Sequence, residues 1–241
     1  MNVEGLFGRS SLLLLICASF AVADTVVVPN TLATVEGNDN NFGPFFNNSV
    51  RYQQVYSASQ FPSGPIKITG IAFRPDGSVT DPNLTIIFST VQMDLSTTAG
   101  TPGTLSATFA DNVGPDNKTV FNSFVFMNAP VTGPAGGPKD FTVAFSLTPF
   151  IYNPGAGNLL LDVRAFESGG GISAPFDAEA NSAFTSHVDA ASIGATTGDP
   201  FPTGLVTQFQ FTAVPEPSTL LLVSLGAMLL AFAVRSRWIR R

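Results

Sequence analysis

Carboxylates are the only chemically active side chains this chain holds in quantity. Its 241 residues include 17 Asp and Glu, but one histidine (His187), one cysteine (Cys17) and one tryptophan (Trp238). A zinc site built on two or three histidines cannot form from that inventory. A histidine-based triad would have to use His187 itself. His187 lies in Phe184-Thr-Ser-His-Val, which reads as a strand edge, and a structural role is expected there. No serine occupies a Gly-x-Ser-x-Gly elbow, and no phosphate-cradling glycine loop precedes a lysine.

Paired acids are the remaining route to catalysis, because a glycoside hydrolase needs two carboxyls flanking a cleft. The nearest pairs are Asp76 with Asp81, Asp111 with Asp116, and Asp177 with Glu179. All read as turn residues, where Asp is favoured for hydrogen bonds to its own backbone. The expectation is therefore a protein that is not an enzyme. Hard cations favour oxygen ligands, and oxygen-rich loops occur at 38–41, at Asp111 and Asp116 with Asn112 and Asn117, and at Asp177 with Glu179. Neither an EF-hand nor a nonapeptide repeat accompanies them. No cofactor is expected, with calcium at Asp111, Asp116, Asp177 and Glu179 as the candidate. For carbohydrate, the candidate contacts are Tyr52 and Tyr56, which share one face of an extended segment. That placement suits a stacking strip or half-buried packing, and packing is favoured. Arg74 and Arg164 are expected to pair with acids or cross-strand partners.

The elements that must position these residues read as strands. Phe141, Val143, Phe145 and Leu147 alternate onto one face, as do Leu205, Phe209 and Phe211 opposite Gln208 and Gln210. Comparable runs cover 66–73, 84–95, 119–126 and 159–166, with shorter ones near Val26, Tyr52 and Phe184. In the 84–95 run the apolar phase slips from Leu84, Ile86, Phe88 to Val91, Met93, Leu95, which predicts a bulge or an exchange of sheets near Ser89. Clusters of Gly, Pro, Asn and Asp separate the runs. The fold expected is all-β, an antiparallel β-sandwich or jelly roll, with no helix outside the two apolar termini. The 22 phenylalanines fall mostly on the apolar phase and are assigned to the core.

Both ends carry export information. Arg9 precedes an apolar run at 12–22, and Ala21-Val22-Ala23 forms a small-x-small cleavage site before Asp24. Residues 1–23 therefore read as a signal peptide, with the Sec translocon and signal peptidase as partners. At the other end, Val214-Pro-Glu-Pro-Ser-Thr leads into the uncharged stretch 218–234. As a helix it would span roughly 25 Å, slightly less than a ~30 Å hydrocarbon core. Pro215 and Pro217 keep the helix from starting earlier. Arg235, Arg237, Arg240 and Arg241 form a basic stop that places the C-terminus in the cytoplasm and the preceding chain outside.

Between these signals, residues 24–213 hold fifteen acids, six bases and no cysteine. This body of about 190 residues is long enough for one core, and apolar burial must stabilise it without disulfides. Its net charge of about −9 argues against nucleic acid as a partner.

The tail residues Val214, Pro215, Glu216, Pro217 and Ser218, followed by the apolar run and arginines, resemble the PEP-CTERM sorting signal of exported proteins in Gram-negative bacteria. The resemblance implies an exosortase as partner, transit through the inner membrane, processing near the Pro-Glu-Pro motif and a final place at the cell surface or outside the cell. Segments 51–56, 68–76, 133–138, 158–164 and 204–209 resemble stretches of other PEP-CTERM ectodomains, which implies no activity. The domains expected are the signal peptide at 1–23, the β-sandwich at 24–213 and the sorting signal at 214–241. The function expected is a non-catalytic surface or matrix protein associated with exopolysaccharide. A calcium-dependent carbohydrate-binding module and a glycan-active hydrolase are the alternatives.

Overall fold

The structure is a computed structural model and describes residues 23–45, 49–134, 137–170 and 174–214, together with Leu225. In chain order its strands are β1 (Asp24–Val28), β2 (Asp39–Asn41), β3 (Val50–Tyr56), β4 (Ile66–Phe73), β5 (Asn83–Thr98), β6 (Lys118–Pro130), β7 (Val143–Tyr152), β8 (Asn158–Gly170), β9 (Phe176–Ala180), β10 (Thr185–Ala190), β11 (Asp199–Phe201), β12 (Thr203–Leu205) and β13 (Thr207–Ala213). One turn of α-helix, α1 (Phe109–Asn112), and short 3-10 turns at Asn30–Leu32, Gly43–Phe45, Ala58–Gln60 and Pro154–Ala156 lie between them. The described body is all-β, as the alternation predicts.

Pairing is antiparallel throughout. One sheet has the order β11-β10-β3-β8-β5-β6, a second β1-β13-β4-β7 and a small third β12-β9-β2. Apolar residues of the two larger sheets share one buried cluster, including Tyr52, Met93 and Leu161 from one and Ile68, Phe145 and Phe209 from the other. Two one-sided sheets thus bury their apolar faces against each other, as in a sandwich. Phe45 sits where all three sheets meet. Its ring lies 5.4–6.3 Å from those of Phe73, Phe88, Phe145 and Phe176, which come from β4, β5, β7 and β9.

The predicted strand phases hold where the pattern is strong. Val143, Phe145 and Leu147 are buried, while Ala144, Ser146 and Thr148 between them are exposed. In β5 both apolar triplets are buried, because the register against β6 jumps between Phe88 and Val91. Ser89 and Thr90 absorb the slip, and the Ser89 hydroxyl donates to the Phe166 carbonyl at 2.9 Å. β7 continues through Pro149 to Tyr152 because it is an edge strand, where a missing N–H need not break a ladder.

Several segments depart from expectation. Residues 39–41 and 176–180 read as polar turns but form β2 and β9, and three-residue strands also form at β11 and β12. Runs this short carry no periodicity, so a tertiary partner decides their conformation. β10 is an interior strand between β11 and β3, so His187 is not at an edge. Apart from Leu225, the predicted membrane helix at 218–234 lies outside the described residues. No described helix is long and apolar enough to cross a membrane.

Candidate functional site

Two places in the body bear on function: the pole that holds its first and last strands, and an acidic corner.

At the pole, β1 begins at Asp24, the residue after the predicted cleavage site, and pairs antiparallel with β13, the last strand. Asp24 stands opposite Phe211, two residues before β13 ends at Ala213. The Val214 N–H donates to the Pro65 carbonyl at 3.0 Å, and Val214 is the last described residue of the body. The two ends of the β-body, Asp24 and Ala213, therefore lie near one another on adjacent strands of one sheet. Ala23 and Asp24 are exposed. Ala21, Pro215, Glu216, Pro217, Ser218 and the arginines 235, 237, 240 and 241 lie outside the described residues.

The acidic corner joins three distant segments. Glu36 precedes β2, Asp76 follows β4, and Asp177 is the second residue of β9. One carboxylate oxygen from each lies within 4.8 Å of the others. The backbone brings them together: the Asp177 N–H donates to the Arg74 carbonyl at 3.2 Å, and Pro75 bridges to Phe176. Gly37 is required at the meeting point, since a Cβ there would come 2.0 Å from the Ala178 carbonyl oxygen. Among the described residues Arg74 is the base that pairs in the corner, and it is buried with Asp177. Its Nε donates to Asp177 Oδ2 at 2.7 Å, a terminal nitrogen bonds the same oxygen, and that nitrogen also donates to the Val35 carbonyl at 2.6 Å. The guanidinium lies 5.1 Å from the centre of the Phe141 ring.

Asp177 Oδ1 accepts from the Gly37 N–H at 2.9 Å, and Glu36 Oε1 from the Gly77 N–H at 2.6 Å. Asp76 Oδ1 accepts the Ser78 N–H at 2.9 Å and the Ser78 hydroxyl. Glu36 Oε2 is buried and has no hydrogen-bond partner among the described residues. Burial pushes the Asp177 carboxyl up to about 6; Arg74 pulls the other way, and Glu36 adds to the rise. With three acids and one base, the corner has room for one more positive charge, either a proton or a cation bound by oxygen.

The other sequence candidates separate. Of the four calcium candidates only Asp177 belongs to the corner. The Glu179 Oε2 accepts from the Asn38 N–H at 3.1 Å. Asp111 accepts from the Ser106 hydroxyl at 3.0 Å, and Asp116 ties down the Thr97 N–H and hydroxyl, each at 2.7 Å. These are loop ties of the kind Asp commonly makes. Glu36 carried no signal in the sequence, because a lone acid beside a glycine looks like any solvated turn.

Tyr52 and Tyr56 do not line a surface strip; both are buried in the core. The Tyr52 hydroxyl donates to Gln54 Oε1, and the Tyr56 hydroxyl meets Thr207 Oγ1 at 3.0 Å. Burial raises both phenols above their ordinary range. His187 stacks between Tyr52 and Phe201, with ring centres 4.8 and 5.0 Å away, and its Nδ1 meets the Thr203 carbonyl. Burial lowers its pKa. The imidazole thus acts as a packed core group.

Comparison with known families finds the PEP-CTERM protein-sorting motif at residues 213–240. It starts on the last residue of β13. No curated protein and no solved structure matches the chain.

Proposed function

We propose that this protein is a non-catalytic surface or extracellular-matrix protein, presented outside the cell by an exosortase and associated with exopolysaccharide. One observation carries the reading: the sorting motif begins at Ala213, where the β-body ends. A processing enzyme can act there without unfolding a strand, since cleavage near the Pro-Glu-Pro motif leaves every described ladder intact. The adjacent exit of the two chain ends also supports it. A body tethered first by its leader and then by its tail keeps the same face toward the membrane. Mass spectrometry of the mature protein tests the proposal. The expected ends are Asp24 and a residue near Pro215 to Pro217. A mature protein still ending in Arg241 would overturn it and make the tail a plain anchor.

A second reading rests on the corner. Glu36, Asp76 and Asp177 would hold a calcium ion, Glu36 Oε2 would gain the partner it lacks, and the body would serve as a calcium-dependent carbohydrate-binding module. Ligand-linked stabilisation gives the test: millimolar calcium should raise the melting temperature, and Glu36→Gln should abolish the rise. A glycan array with and without chelator then separates a structural ion from one that serves sugar binding. No calcium shift in the wild-type protein removes the ion from the account.

A further inference from the structure

Among the described residues, the outermost strand of the six-stranded sheet, β6, forms a ladder on one side only, with β5. It is 13 residues long, and from Thr119 to Pro130 it has no charged residue. Edge strands are normally protected by charge, by brevity or by a covering element. β7 of the facing sheet lies beside β6, where Lys118 Nζ donates to the Pro149 carbonyl at 2.9 Å and the Phe121 ring lies 5.4 Å from that of Phe145, yet Phe124 and Phe126 leave 60% and 67% of their surface exposed on the face away from the core. Val125 between them is buried, its partner across the ladder being Phe88. The residues around Val125 read Asn122-Ser-Phe-Val-Phe-Met-Asn128. Taken outward from Val125, the same types recur on both sides: Phe124 and Phe126, then Asn122 and Asn128.

We infer that β6 is a self-association edge, pairing antiparallel with β6 of a second copy about a twofold axis at Val125. A twofold contact must be self-complementary, and this stretch is. In that register Phe124 of each copy faces Phe126 of the other, which makes two aromatic cross-strand pairs. Asn122 faces Asn128 twice, an amide pair at each end. An antiparallel twofold preserves the faces of the sheet, so Val125 stays over the core and Phe124 and Phe126 stay on the outer face in both copies. Charge favours the same occupant. The body carries fifteen acids against six bases, so two copies generally repel, but this neutral stretch brings no like charges together. Covering all four rings would remove about 500 Å² of aromatic surface. That is close to a third of the ~1,600 Å² in a standard interface, with strand backbones, Ser123 and Met127 adding to it.

Disulfide trapping in the full chain, exported by its own cells and with Cys17→Ser removing the native thiol, tests the register directly. The double variant Asn122→Cys with Asn128→Cys should form a cross-linked dimer under mild oxidation, because facing residues lie within disulfide reach. Either single variant should not, since each cysteine would be about 20 Å from its own copy. Both sites are exposed, so folding is not at stake. Adding Phe124→Lys and Phe126→Lys should cut the cross-link at least about tenfold by removing both aromatic pairs and opposing like charges. A double variant that stays monomeric overturns the inference. So do single variants that dimerise equally well, or a cross-link to a different protein in place of a dimer.

Discussion

Two ionic clusters in this protein use the same residue types and end in different states. On the outward face of the six-stranded sheet, Arg51 stands opposite Arg164, and Gln53, Asp162 and Asp94 stand in line beside them. Like charges face each other directly, and the diagonals resolve the conflict: Arg51 reaches Asp162 at 2.7 Å and Arg164 reaches Asp94 at 3.4 Å. Gln53 donates to Asp162 at 2.8 Å, and Gln92 to Asp94 at 2.9 Å. The Thr119 hydroxyl also donates to Asp94, and Phe109 from α1 covers Arg51 at 4.4 Å. All four carboxylate oxygens are partnered. The corner of Glu36, Asp76, Asp177 and Arg74 is instead assembled from loop and strand-end segments and leaves Glu36 Oε2 with nothing. Sheet register repeats its spacings, so each partner brings the next within reach. A corner has no such repeat, and its charge balance stays adjustable.

The sharpest way to break this contrast is to delete one base from each cluster. Arg74→Ala strands a buried carboxylate and should cost about 3–5 kcal/mol at pH 7. Arg51→Ala leaves Asp162 with Gln53 and Arg164 and should cost less, about 1.5–3 kcal/mol. Chemical denaturation of both variants decides it, and equal losses would mean that the corner is no more exposed to imbalance than the ladder.

A proton sharpens the comparison next. The Asp177 carboxyl stands at about 6 in the fold against 3.8 for the free group. Between those values the folded state binds the extra proton, so Asp177 stabilises most below about pH 4, and that contribution declines as pH rises through 6. The difference in unfolding free energy between wild type and Asp177→Asn should therefore vary by on the order of 2 kcal/mol from pH 4 to 7. The Arg74→Ala loss should shrink at pH 5 for the same reason. A flat difference profile would mean that Asp177 is ionised throughout.

The smallest expected effect is at Glu36. Glu36→Gln retains the acceptor for the Gly77 N–H and removes one of three like charges. Stability at pH 7 should change by less than about 1 kcal/mol, in the favourable direction. The Asp177 titration followed by NMR should move down, since Glu36 contributes to its rise. An unchanged Asp177 titration would uncouple the two acids.

Strand existence was legible wherever alternation ran long enough to bury one face. β4 matches its predicted span of 66–73, and the phase slip of β5 pointed to the bulge at Ser89. β2, β9 and β12 were not legible, because three to five mixed residues have no period to read. The pairing of Arg74 and Arg164 with acids was anticipated. Which acids they take was not, since Asp177 lies 103 residues beyond Arg74. Tyr52 and Tyr56 illustrate the same limit. Alternation put them on one face but could not say that the second sheet covers it.

What the sequence determined alone is therefore what local physics controls. Composition excluded disulfides from the body and a histidine-built zinc site, alternation set the all-β class, and the Pro-Glu-Pro motif with its apolar run and arginines announced the sorting signal that the family comparison finds at 213–240. Only the tertiary structure brought Glu36, Asp76 and Asp177 to one point, set the first and last strands side by side and left β6 with a ladder on one side only among the described residues. Each of those depends on which strands neighbour one another. That order is chosen by the packing of the whole core, with Phe45 at the junction of three sheets, and no window of sequence contains it.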